Sequence, residues 1–144
     1  MELCSGILSR SEYLRAVGRV VELLATVGIP EVLVAYGFGC DCPDELLYQD
    51  VMIPSSGLPE FIVEAEAANN YRVGRDNLHV KASDGRAEFL LCHESDIHLV
   101  TEDAELFGRL RSTWMADGHR EIYERNGGEW RRVSMFSSND GPSD

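Results

Sequence analysis

The sequence predicts an α+β fold, a single-domain sandwich in which about three helices pack on a mixed or antiparallel sheet of about four to six strands. Two kinds of segment lead to this prediction: amphipathic stretches bounded by helix caps, and short β-rich runs bounded by turns. An Asp-Gly pair, Asp84-Gly85, separates two of these runs and is typical of a tight hairpin. We predict one globular domain over residues 1–133 and a disordered C-terminal tail over residues 134–144.

The first predicted helix begins after Ser9. Ser9 and Glu12 have the spacing of a capping box, and Gly28 followed by Pro30 is a stop signal. Apolar residues between these signals recur at helical spacing, namely Leu14, Val17, Val20, Val21, Leu24 and Val27.

The next segments alternate between strands and loops. Residues 31–38 form a short apolar run that predicts a buried strand, and residues 46–53 contain a second strand. Residues 58–69 predict a second helix, with Pro59 in its first turn, where the missing N–H costs nothing.

Further strands are predicted at residues 71–73, 78–82, 86–91 and 97–100. Thr101 is then the expected N-cap of a third helix, whose first turn is rich in carboxylates. Phe107, Leu110 and Trp114 mark its buried face. Residues 122–133 contain a Gly-Gly turn and one short strand carrying Trp130.

Charge is distributed unevenly along this chain, whose formal net charge is −12. Neither Lys nor Arg occurs at positions 20–71 or 87–108, and both stretches are rich in carboxylates. Folding must therefore create a strongly negative face, which attracts cationic partners and repels nucleic acid and anionic lipid.

Aromatic residues interleave with these carboxylates, as at Tyr36, Phe38 and Tyr48. Charge beside an aromatic anchor is how protein interfaces combine steering with binding energy. We expect the two acidic regions to meet in one docking surface for a basic protein. The predicted partner-binding residues are Asp41, Asp44, Glu45, Asp50, Glu94, Asp96, Glu102 and Asp103.

Membrane insertion and export are not expected. The sequence has no apolar run of the length that a membrane helix needs, and its N-terminus lacks the pattern of a signal peptide. We therefore expect a cytoplasmic protein in which Cys4, Cys40, Cys42 and Cys92 are free thiols.

Thiol and imidazole groups offer two chemical alternatives. Cys40, Cys42, Cys92 and His93 supply the four ligands that zinc takes, but neighbouring strand residues point to opposite faces, so we predict no metal site or cofactor. A nucleophilic Cys40 or Cys92 would need a base, yet no recognisable catalytic motif surrounds any pairing with His93, His98 or His119. Strand alternation predicts that His79 and His98 face solvent.

Residues 23–53 resemble the opening of nucleotidyltransferase-fold proteins, where a glycine-rich turn precedes a strand bearing paired metal-binding carboxylates. Gly37 and Gly39 match the turn, Asp50 the first carboxylate and Glu88 a third, later one. Met52 stands where the second carboxylate belongs. A two-metal mechanism needs both carboxylates, so the resemblance implies either a degenerate enzyme or a catalytically inactive relative of this fold.

The absence of a catalytic motif and the acidic charge together favour a binding protein that performs no catalysis. Our leading hypothesis is an inhibitor of a basic partner protein, of the immunity-protein or antitoxin type. The alternatives are a degenerate nucleotidyltransferase-like enzyme, in which Asp41, Asp50 and Glu88 would act, and a structural or adaptor domain of a larger assembly.

Overall fold

A computed structural model of the chain describes residues 1–133, which form three α-helices, two 3-10 turns and an eight-stranded sheet. The predicted α+β class and the number of helices are confirmed. The predicted strand count was too low. The predicted tail, residues 134–144, lies outside the described residues.

The helices are α1 (Arg10–Thr26), α2 (Leu58–Ala67) and α3 (Ala104–Ala116). The strands are β1 (Glu2–Cys4), β2 (Glu31–Tyr36), β3 (Val51–Pro54), β4 (Leu78–Ala82), β5 (Ala87–Leu91), β6 (Ile97–Thr101), β7 (Ile122–Arg125) and β8 (Arg131–Val133).

The strands follow the order β3-β2-β4-β5-β6-β1-β7-β8, and every neighbouring pair is antiparallel. The N-terminal strand β1 lies between β6 and β7, so Cys4 is directly opposite His98 on one side and Tyr123 on the other. This register brings the first residues of the chain beside the β5–β6 hairpin.

Several predicted boundaries change. Residues 71–73 form no strand, and Tyr71 is buried at the end of a turn segment that follows α2. The strand expected within residues 46–53 is β3, which begins only at Val51 after a 3-10 turn at Asp44–Leu46. Strands β1 and β8 have three residues each, too few for a period-2 pattern to stand out in the sequence.

The helix caps explain where the helices begin. Ser9 and Glu12 form the predicted capping box at the start of α1. At α3 the N-cap is Asp103 and not Thr101, because the Asp103 carboxylate accepts the N–H groups of Glu105 and Leu106 at 3.0 and 3.1 Å. The Thr101 hydroxyl accepts the Asp103 N–H and donates to the Arg86 carbonyl at 2.6 Å.

All three helices pack on one face of the sheet. Their buried side chains, including Val20, Ile62 and Trp114, join the inward-facing strand residues in one apolar core. The opposite face, which we call the open face, carries no helix of the described chain. Charged residues such as Lys81 and Glu88 lie across its centre between the apolar side chains of Leu33 and Val100. No helix of the described residues is long and apolar enough to cross a membrane.

Candidate functional site

An acidic loop, residues 37–50, joins β2 to β3 and holds four of the predicted partner-binding residues. Asp41, Asp44, Glu45 and Asp50 are all exposed. In the part of the chain that the structure describes, no Lys or Arg nitrogen lies within 4.0 Å of the first three of these carboxylates. Arg75 lies beside the loop, but its guanidinium donates to the Asp76 carboxylate at 3.1 and 3.2 Å. The loop therefore presents unpaired negative charge to solvent.

Two aromatic side chains of the acidic loop are also exposed. Phe38 is 63% exposed, and its ring meets the His93 ring edge-on at a centroid distance of 5.2 Å. Tyr48 is 66% exposed and lies 6.1 Å from the ring of His79 on β4. Two large exposed aromatic rings therefore lie in the same loop as the unpaired carboxylates.

Tyr48 also has a strained backbone. Its φ of 57° lies in the left-handed region, which costs a residue with a Cβ about 1 kcal/mol or more. The Tyr48 N–H donates to the Tyr36 carbonyl at 2.8 Å and so holds this conformation. Such strain persists where the surrounding structure fixes the residue, and it concentrates at functional sites.

Asn77 anchors the acidic loop to the rest of the sheet. Its backbone N–H donates to the Phe38 carbonyl at 2.8 Å, and its carbonyl accepts the Gly37 N–H at 3.0 Å. Its side-chain oxygen accepts the His93 N–H at 2.7 Å, which ties the loop to the turn between β5 and β6. That turn carries exposed Glu94, so a fifth predicted carboxylate lies at the same end of the sheet. Backbone and side-chain hydrogen bonds of Asn77 thus join the acidic loop to the β5–β6 turn.

The other three predicted residues lie elsewhere. Glu102 and Asp103 follow β6 at the opposite end of the sheet, about 20 Å from Glu94 at the spacing of an extended strand. Asp103 is occupied as the N-cap of α3. We had expected the two acidic regions to meet in one surface, and this expectation was wrong, because strand β6 places Glu94 at one end of the sheet and Glu102 and Asp103 at the other. Partner binding by the five residues at the loop end stays a prediction.

Asp96, the remaining predicted residue, is buried in a cluster that the sequence did not indicate. Its Oδ2 accepts from the Cys4 thiol at 3.3 Å and lies 3.1 Å from His98 Nε2, and the Cys4 Sγ is 3.7 Å from the same nitrogen. Hydrogen bonding to Asp96 raises the pKa of His98 to about 10. His98 lies on the open face, opposite to buried Ile97 and Leu99, as the alternation predicted, but its side chain is only 28% exposed because the carboxylate and the thiol cover part of it. Asp96 directly precedes β6 and is two residues from His98, a spacing that the sequence shows, but Cys4 lies on the unpredicted strand β1.

The cluster opens onto a small cleft of about 400 Å³. Trp130 forms one wall, its ring edge-on to His98 at 6.1 Å, and the Arg125 guanidinium lies 4.6 Å above the Trp130 ring. Gly6 shapes the floor with a φ of 71°, and a Cβ there would overlap the Glu121 carbonyl. The cleft is therefore polar around the cluster and aromatic on one side.

The alternative thiol sites do not assemble. Of residues 1–133, only Cys4, Asp96 and His98 form a group of three or more potential metal ligands; Cys40, Cys42, Cys92 and His93 do not. Burial raises the pKa of Cys40 and of Cys92 to about 11 in each case, which keeps both protonated and poorly nucleophilic. All four cysteines are free.

Asp50 and Glu88, the two carboxylates that match the nucleotidyltransferase pattern, lie on either side of the Lys81 side chain. The Lys81 ammonium lies 4.0 Å from Asp50 and 4.0 Å from Glu88 on the open face. It thus occupies the place between these two acids that a catalytic cation needs, and Met52 is an exposed apolar residue of β3. This geometry gives no support to the phosphoryl-transfer alternative.

Comparisons of the chain with protein-family models, with curated proteins and with solved structures found no match.

Proposed function

We propose that this protein is a binding module without catalytic activity, which inhibits a basic partner protein by occupying its cationic surface, in the manner of an immunity protein or antitoxin. The observation that carries the proposal is the acidic loop, where exposed unpaired carboxylates flank exposed Phe38 and Tyr48. We place this activity in the cytoplasm, where the four free thiols would stay reduced.

Charge complementarity supports a basic protein as the occupant. Electrostatic potentials of opposite sign accelerate the association of two proteins, and buried aromatic side chains contribute binding free energy that depends less on salt. Carboxylates of the loop would stand in for the phosphates or acidic groups that the partner's cationic cleft normally meets. A net charge of −12 opposes direct nucleic-acid binding, so that class of partner is not part of the proposal.

The open face gives weaker support to an adaptor role. Val100 and Met52 are 45% and 57% exposed, but Lys81 and Glu88 lie between them along the same row of the sheet. The apolar side chains therefore do not form a continuous patch of the kind that a hydrophobic assembly contact needs.

The test compares two triple variants with equal change in charge. One neutralises the acidic loop (Asp41→Asn, Asp44→Asn and Glu45→Gln), and the other neutralises three exposed carboxylates elsewhere (Glu31→Gln, Glu60→Gln and Glu64→Gln). Immobilised wild type and both variants are used to capture proteins from the source cells at low salt and at about 0.5 M salt, where screening is strong. A captured basic protein is then purified, and its affinity for each form is measured by calorimetry.

We expect the control triple to retain the basic partner and the loop triple to bind it at least about tenfold more weakly, since several charge contacts are lost. Wild-type affinity should fall steeply with salt. Equal affinity of the two triples for the purified partner would show generic charge attraction and would reject the acidic loop as the interface. Capture of acidic or neutral proteins alone, or affinity indifferent to salt, would reject the proposal as a whole.

A further inference from the structure

The donor atoms of Cys4, Asp96 and His98 form a compact triangle. Its edges are 3.7 Å from sulfur to nitrogen, 3.3 Å from sulfur to oxygen and 3.1 Å from nitrogen to oxygen. The backbone sets this arrangement, because His98 faces Cys4 across the β1–β6 ladder and Asp96 is two residues before His98 on the same side. Reciprocal hydrogen bonds between Ser5 and Ile97 hold the two strands together beside the cluster.

These edges are close to those of a tetrahedral zinc site. Bonds of about 2.3 Å to sulfur and about 2.0–2.1 Å to nitrogen or oxygen imply edges of about 3.5 Å from sulfur and about 3.3 Å between the lighter atoms. Each observed edge differs from the implied value by a few tenths of an ångström. A metal ion fits with only small side-chain movements.

The same geometry disfavours a catalytic triad. In a triad the carboxylate and the nucleophile lie on different nitrogens of the histidine. Here both Asp96 and Cys4 approach Nε2. The three donor atoms therefore surround one position in space. A metal ion needs this arrangement, whereas a proton relay needs the histidine to use both of its nitrogens.

The environment of Asp96 supplies a second, independent indication. The residue is only 8% exposed, and its Oδ1 has no hydrogen-bond partner. A buried carboxylate is costly, and a cation coordinated through Oδ2 would neutralise its charge, which lowers the cost of leaving Oδ1 without a hydrogen bond. Thiolate, imidazole and carboxylate together suit zinc better than magnesium or calcium, which prefer oxygen ligands alone.

We propose that Cys4, Asp96 and His98 bind a zinc ion whose fourth ligand is a water molecule facing the cleft beside Trp130. Three protein ligands leave one position of the tetrahedron for an exchangeable water molecule, whereas a closed structural site has four protein ligands. The proposal does not depend on the acidic loop, so either one can fail alone. It also differs from the cysteine-rich site considered from the sequence, since three of those four ligands would be sulfur.

The experiment titrates chelator-treated, reduced full-length protein with CoCl₂ and follows the thiolate-to-cobalt absorption, then displaces cobalt with ZnCl₂. Cys4→Ser and His98→Gln are the test variants. Cys42→Ser and His93→Gln are the matched controls, because they remove a thiol and an imidazole that lie outside the cluster. X-ray absorption of the zinc-loaded wild type counts the sulfur ligands without any substitution.

We expect one cobalt ion per chain with a thiolate band in the wild type and in both controls, and affinity at least about tenfold lower in both test variants. The zinc-loaded wild type should show one sulfur at about 2.3 Å and lighter ligands at about 2.0–2.1 Å. Three outcomes would overturn the proposal: no thiolate band in the wild type, a band that survives Cys4→Ser, or more than one sulfur per zinc. The wild-type spectra decide the matter even where a variant fails to fold.

Discussion

The helix-covered side of the protein and the acidic loop use carboxylates differently. Asp117, at the end of α3, accepts from the Arg19 guanidinium at 2.9 and 3.1 Å, and Glu124, on β7, accepts from Arg111 at 3.0 Å. In the acidic loop, by contrast, three carboxylates have no basic partner within 4.0 Å among the described residues. Paired carboxylates join elements of the fold, whereas unpaired ones repel each other and add nothing to stability. The difference indicates which acids serve the structure and which are available to a partner.

Glu124 should give the largest effect. It is 8% exposed and receives Arg111 at 3.0 Å and Arg131 at 2.6 Å, so Glu124→Gln removes one buried charge and weakens two bonds. We expect a loss of about 1.5 kcal/mol in the free energy of unfolding, discounted for the partly exposed Arg111 and Arg131, because two charge-assisted hydrogen bonds to a buried carboxylate are weakened. Urea denaturation measures the loss, and Glu45→Gln, the same change in the acidic loop, is the control. Equal losses of stability in Glu124→Gln and Glu45→Gln would show that paired and unpaired carboxylates do not differ in their contribution to the fold.

Asp117 should give a smaller effect that depends on pH. Asp117→Asn weakens the contacts of α3 with Arg15 and Arg19 on α1, and we expect a loss of about 1 kcal/mol near pH 7, discounted for the partly exposed arginines.

Hydrogen bonding from Arg19 lowers the pKa of the Asp117 carboxyl. A lowered pKa stabilises the fold above the unfolded value of about 3.9, and this contribution disappears as the pH falls through the folded value. The deficit of Asp117→Asn should therefore shrink between pH 7 and pH 3 in chemical denaturation. A deficit that is constant with pH would show that the ion pairs contribute nothing.

Tyr48 should respond in the opposite direction. Tyr48→Gly relieves the left-handed backbone, and we expect a gain of about 0.5 kcal/mol after the extra entropy of glycine in the unfolded chain is subtracted. Tyr48→Ala is the control, because it removes the ring but keeps the strain, and it should not be more stable than the wild type. Thermal unfolding compares the three proteins. If glycine is the least stable of them, Tyr48 serves the fold and not an interface.

The triple variant of the acidic loop should have the smallest effect on stability. Its three side chains are exposed and unpaired, so we expect the free energy of unfolding to stay within about 0.5 kcal/mol of wild type. Chemical denaturation checks this. A loss above about 1 kcal/mol would mean that these carboxylates have structural partners, and the contrast with Glu124 would disappear.

The sequence predicted those parts of the fold that local signals determine. The capping box at Ser9 and Glu12 and the hairpin turn at Gly85, with a φ of 80°, depend on residues close together in the chain, and both are present. Strand β1 could not be predicted in the same way. A segment of three residues is too short to show a period-2 pattern. The strand forms because residues 2–4 pair with β6 on one side and with β7 on the other.

A candidate site could be predicted from the sequence only where its residues are close together in the chain. The acidic loop is one continuous segment, so its charge and aromatic residues were visible in the sequence. The cluster of Cys4, Asp96 and His98 was not, because its thiol is 92 residues away from its carboxylate and only the β1–β6 pairing joins them. The expectation that Glu102 lies beside the acidic loop was wrong, because the spacing of charges along a chain does not show that strand β6 separates Glu94 from Glu102.

Photocrosslinking most directly tests whether the acidic loop is the partner-binding surface. A photoreactive phenylalanine analogue placed at Phe38 or Tyr48 would report contacts of the loop, and one placed at Val63, which is 65% exposed on α2, would report the helical side. We predict that positions 38 and 48 crosslink to one basic protein in the source cells at low salt and that position 63 does not. Crosslinks to that protein from position 63 alone, or equally from all three positions, would contradict the account.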